Sequence, residues 1–214
     1  MARIRRGRRT HPLIIRLTHW LAAVAMVCMI GSGWQIYDAS PLLPFLFPDW
    51  ATIGDWLGGA LAWHFAAMWL LFASGAIYLA YGLASGHFRR DIRPGTPRAL
   101  RDDLLAALTF RLAHRQGEYN AVQRLLYSLV LPAVVLLVAT GLSIWKPVQL
   151  GALTWLFGGY DWARRIHFAL MCCVVAFLVI HVVLALLVPS TLLSMLTGGP
   201  RRPVDTARTP EGVS

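Results

Sequence analysis

Four apolar runs, each about as long as a bilayer core is thick, constrain this chain more than any other feature. They are Leu17–Tyr37, Leu61–Gly82, Leu125–Trp145 and Ile166–Val188, and none contains Asp, Glu, Lys or Arg. A helix needs about 20 apolar residues to cross a hydrocarbon core about 30 Å thick. Inside that core every backbone polar group must be satisfied within the segment, so such runs are helical. The expected fold is therefore all-α: an integral membrane four-helix bundle.

Composition agrees. Charged residues make up 14% of the 214-residue chain and apolar residues 57%, whereas a soluble domain carries about 25% charged residues. The net charge of +10 invites a nucleic-acid reading. Its distribution excludes that reading, because the charge sits in short segments between the runs. The Arg-rich start followed by an apolar run resembles a signal peptide. However, Leu17–Ile36 is long for a signal core and no convincing cleavage pattern follows, so it reads as a retained span.

Charge also orients the spans. Of the 20 Lys and Arg residues, all but Lys146, Arg164 and Arg165 fall before span one, between spans two and three, or after span four. Those three segments share one face of a four-span protein. The positive-inside rule makes that face cytoplasmic, with both termini inside. Pro41, Pro44 and Pro48 break a fifth apolar stretch into an interfacial loop, whose Trp50 and Trp56 suit the aromatic belt. Residues 1–190 form one membrane domain, and 191–214 read as a disordered cytoplasmic tail. Cys28, Cys172 and Cys173 have no metal-ligand spacing and read as small buried apolar residues.

Chemistry enters through histidine. His11, His87 and His114 lie in basic segments, but His19, His64, His167 and His181 lie within the runs. An imidazole at lipid depth is costly without a partner and marks function by default. His19 sits near the cytoplasmic start of span one, and His64 and His167 near the periplasmic starts of spans two and four. His181 follows His167 by 14 residues, a rise of about 21 Å and about 40° short of four turns. One face of span four thus carries two imidazoles at two depths. Depth then pairs His19 with His181 and His64 with His167, each pair drawn from two helices.

Such pairs suit haem iron, which accepts imidazole on both axial positions. A doubly ligated iron has no open site for oxygen, which describes an electron carrier. The competing readings are four separately hydrogen-bonded histidines, or a metal-transport site. The latter normally wants carboxylates or thiolates beside the imidazoles, and the spans have no carboxylates. Arg16 and Arg164 each precede a histidine by three residues, so they neighbour it on the helix and are candidates for haem propionates. Small residues recur at Gly31-Ser32-Gly33, Ser74-Gly75 and Thr140-Gly141. They serve close helix packing, or, at Gly33, make room for a porphyrin.

These residues resemble the bacterial cytochrome b561 family, and within it the thiosulfate-reductase-, hydrogenase- and formate-dehydrogenase-type cytochrome b subunits. The likeness rests on RLTHW (Arg16–Trp20), GSGW (Gly31–Trp34), Trp63-His64, YNAVQRLLY (Tyr119–Tyr127), TGL (Thr140–Leu142) and the stretch from Arg164 to His181. It implies two haem b groups on the paired histidines. It also implies electron exchange between a membrane quinone, ubiquinone or menaquinone, and a periplasmic partner. That partner would be a molybdopterin oxidoreductase, a hydrogenase or a c-type cytochrome. The family's quinone site matches Asn120, with Gln123 one turn on; Asn120 also suits a helix cap. The chain departs from these relatives in lacking a fifth span. The alternatives are a self-contained cytochrome b561 that oxidises a small reductant such as superoxide, and a haem-free anchor or metal transporter.

Overall fold

The computed structural model describes residues 11–85, 121–187 and 189–199, with side chains for all of these except 121–128, 131 and 191. Asn120, His87 and His114 lie outside the described residues, as does the side chain of Gln123. The described residues form helices and connecting turns with no strand: α1 (Leu13–Ala39), α2 (Leu57–Ala84), α3 (Ala121–Trp145), α4 (Gly151–Leu156), α5 (Tyr160–Leu187) and α6 (Pro189–Thr197). A single 3-10 turn, Asp49–Ala51, lies between α1 and α2.

The helix ends follow local chemistry. Pro12 caps the start of α1, and its last residue comes just before Ser40 and Pro41, where the ring of a proline disfavours helical backbone in the residue before it. Gly158 and Gly159, with φ of +81° and +97°, turn the chain from α4 into α5. Gly198 and Gly199 adopt positive φ and stop α6, the usual service of glycine past a helix end.

Pro189–Thr197, most of it within the segment expected to be a disordered tail from 191 onward, is helical. A proline at the first helical position is well tolerated, and no glycine interrupts the leucine-rich segment before Gly198.

α1, α2 and α5 are each long and apolar enough to cross a membrane, and α3 contributes the shorter apolar stretch Pro132–Trp145. α1 packs along α2, and α3 along α5. Most of what is buried is small, including Ala25, Ser32, Ala60, Ser74, Thr140, Ser143 and Ala163, with Ile15, Tyr37 and Val174 as larger exceptions. What faces outward is large, including Trp69, Phe72, Val135, Leu186 and Leu187, each more than half exposed. This inversion of a soluble core is how helices associate in lipid, where small residues allow close backbone approach. Cys172 and Cys173 belong to the outer surface rather than the interior. Lipid explains this, since the surroundings there are as apolar as a core.

The buried hydroxyls are satisfied within their own helices. Thr18 donates to Ile14, Ser32 to Cys28, Ser74 to Leu71, Thr140 to Leu136 and Ser143 to Ala139. Each bonds a carbonyl one turn back, a local pattern open to Ser and Thr in any helix.

The helix pairs meet at both ends of the bundle. At one end Tyr37 of α1 stacks on Phe168 of α5, with ring centres 5.0 Å apart. There Arg164 also donates to the Ser40 carbonyl at 2.6 Å. At the other end Arg16 donates through Nε to the Met195 carbonyl of α6 at 3.0 Å. The backbone N–H of His11 reaches the Gly198 carbonyl there at 3.1 Å.

The α1–α2 connection folds back further than an interfacial loop requires. Ile53 donates its N–H to the Gly31 carbonyl at 3.1 Å. A Cβ on Gly31 would lie 2.9 Å from the Ile53 side chain, so glycine is what admits the loop. Phe47 stacks on Trp34 at 4.5 Å, and its N–H donates to the Asp38 carboxylate at 2.9 Å. Trp50 and Trp56 point outward.

Candidate functional site: two pairs of histidines

The four histidines sit on three helices: His19 on α1, His64 on α2, and His167 and His181 on α5. His19 faces His181, their ring centres 6.1 Å apart and their planes 60° apart. Trp20 meets His19 edge-on at 5.5 Å, and Phe177 stacks on His181 at 5.7 Å. His167 lies near the opposite end of α5, and His64 near the start of α2.

The spacing within the first pair fits a metal between the rings. Two metal–imidazole bonds of about 2 Å, plus about 1 Å from each nitrogen to its ring centre, total about 6 Å. Among the described residues, no group of three or more His, Cys, Asp or Glu is placed to hold a metal ion by itself. Two facing imidazoles suit a haem iron.

The rings of His64 and His167 each meet a hydroxyl. Ser32 Oγ lies 3.1 Å from His64 Nδ1, and Thr140 Oγ1 lies 3.0 Å from His167 Nδ1. Gly33 and Gly141, the next residues, leave space beside the same rings. A Cβ there would sit 3.5 Å from His64 Cε1 and 3.3 Å from His167 Cε1. The space at Gly33 is therefore bounded by an imidazole. Reading the sequence alone treats Ser32 and Thr140 as packing residues. The missed signal is their position, each directly before a glycine and level with a histidine on the neighbouring helix.

The arginines have partners of their own. Arg16 holds α6, and Arg164 holds the end of α1 through both the carbonyl and the hydroxyl of Ser40, at 2.6 and 3.3 Å. Both lie one turn from a histidine of a different pair.

A bundle of membrane-length helices with facing imidazoles fits a membrane haem protein. The sequence profile of the prokaryotic cytochrome b561 family matches residues 10–198. The chain is 48% identical over 189 residues to a putative protein-methionine-sulfoxide reductase subunit, YedZ1, of Azospira oryzae. That alignment takes in 88% of this chain and 96% of the other. The chain belongs to the prokaryotic cytochrome b561 family, whose members are multi-span membrane proteins that carry haem b and transfer electrons.

Proposed function

We propose that this chain is the di-haem electron-transfer subunit of a periplasmic oxidoreductase. It spans the bacterial inner membrane four times, with both termini cytoplasmic. The observation that carries the proposal is the 6.1 Å separation of the His19 and His181 rings. His19 and His181 would hold one haem towards the cytoplasm, and His64 and His167 the other towards the periplasm. Bound there, the two groups would supply one-electron carriers at two depths of the bilayer.

The fourth crossing is α3, whose 25 residues rise about 37 Å. Orientation rests on the clustering of Lys and Arg in the three segments assigned to one face. The protein's own part would be to present imidazoles to the iron and exclude water. Tyr37, Phe45, Phe47 and Phe168 form a contiguous ring cluster that supports the last of these at the His64–His167 end.

A molybdopterin oxidoreductase that reduces methionine sulfoxide heads the list of partners, ahead of a hydrogenase or a c-type cytochrome. The name of the Azospira oryzae relative supports this order. Reducing a sulfoxide to a thioether and water consumes two electrons and two protons, so electrons would leave a quinol and flow outward. Asn120 and Gln123 would meet the quinone beside the cytoplasmic pair.

The test is a reduced-minus-oxidised visible spectrum of the purified chain, with pyridine haemochrome quantitation. Two b-type haems per chain are expected. A colourless protein from cells with ample haem would overturn the proposal.

A further inference from the structure

One small constellation occurs twice, on two different helix pairs. In each, a hydroxyl residue followed by glycine on one helix faces a histidine on its packing neighbour. Ser32-Gly33 of α1 faces His64 of α2, and Thr140-Gly141 of α3 faces His167 of α5. Both copies serve the same histidine pair. His19 and His181 instead have aromatic neighbours, Trp20 and Phe177.

The direction of each hydrogen bond follows from counting protons. A hydroxyl has one proton and two lone pairs. Ser32 gives its proton to the Cys28 carbonyl at 2.6 Å, and Thr140 gives its proton to the Leu136 carbonyl at 2.8 Å. Each oxygen is then left to accept from the ring, so Nδ1 carries the ring proton. A neutral imidazole protonated there has its free lone pair on Nε2.

The ring is thus fixed in rotation, in tautomer and in the atom it offers to a metal. An Nδ1–H donating to an acceptor also makes the imidazole a more basic ligand. A more basic ligand favours the more positively charged, oxidised iron.

We infer that Ser32 and Thr140 are positioning residues that fix the proton on Nδ1 of His64 and His167 and hold down the redox potential of the haem those histidines bind. The inference rests on the ligand assignment proposed above. It adds two residues that touch neither iron nor substrate, and it distinguishes the two haems by what stands behind their ligands.

Spectroelectrochemical titration of the full-length protein in detergent tests it, with Ser32→Ala, Thr140→Val and the double variant beside wild type. Two haems per chain should remain. One component of the titration should move to higher potential in each single variant and further in the double, while the other stays in place. Ser32→Thr and Thr140→Ser keep a hydroxyl and should return the component towards its wild-type value. A double variant with two haems and both components at wild-type potentials overturns the inference. If wild type carries two haems and His64→Ala still carries both, the ligand assignment fails first, and the inference falls with it.

Discussion

His19, in the second turn of α1, and His181, two turns from the end of α5, face each other with ring centres 6.1 Å apart. His64 and His167 instead meet hydroxyls on α1 and α3. Substituting Ala for His19 or His181 should therefore remove one haem and leave the other, with loss of quinone reactivity. His64→Ala or His167→Ala should remove the complementary haem and block exchange with the periplasmic partner. Haemochrome quantitation of the four variants decides. A correctly folded single variant that lost both haems would contradict the two-pair arrangement.

Arg164 reads in the sequence as a propionate ligand, yet in the structure it ties the start of α5 to the end of α1 through Ser40. The contact is exposed, so its value is modest. Arg164→Ala should lower stability by about 1 kcal/mol, the usual net worth of one hydrogen bond. Thermal unfolding in detergent, followed by helical circular dichroism, measures this. If the guanidinium also serves a propionate, the haem on His64 and His167 will bind more weakly. An unchanged haem stoichiometry with lower stability would assign Arg164 to tethering alone.

Much of this fold was legible because membrane length and charge are coarse signals. Runs of about 20 uncharged residues mark spans whatever their neighbours do, and the side-by-side placement of His19 and His181 follows from depth counted along helices. What escaped depends on contacts between segments distant in sequence. The hydroxyls of Ser32 and Thr140 acquire partners only once α1 meets α2 and α3 meets α5. The outward placement of Cys172 and Cys173 reverses a habit learned from soluble cores. The helical stretch Pro189–Thr197 was hidden by a short, mixed composition that resembles a linker.

Gly31 illustrates the same lesson energetically. A methyl group there would lie 2.9 Å from Ile53 and 3.3 Å from the Ala51 carbonyl oxygen. Gly31→Ala should cost about 1–2 kcal/mol, within the range for overpacking a tight contact. The Ile53 side chain is the closer obstacle, so Ile53→Ala should relieve part of that cost. In a double-mutant cycle the two changes should be less damaging together than their sum. Strict additivity would mean that the loop does not lean on α1 at Gly31.

The quinone assignment makes the sharpest functional prediction, because it separates substrate exchange from haem retention. In the proposed reading Asn120, which precedes Ala121 in sequence, meets the quinone, with Gln123 three residues on. An amide there would hydrogen-bond a quinone carbonyl directly, whereas a capping amide would only steady the helix. Asn120→Ala removes both services, but Asn120→Asp keeps the cap and places a carboxylate against the carbonyl. If Asn120 binds quinone, both variants should lower quinol-driven haem reduction at least tenfold with two haems retained. If it is only a cap, Asn120→Asp should reduce at the wild-type rate. Stopped-flow reduction by a quinol analogue, read at the haem absorption band, separates the two outcomes.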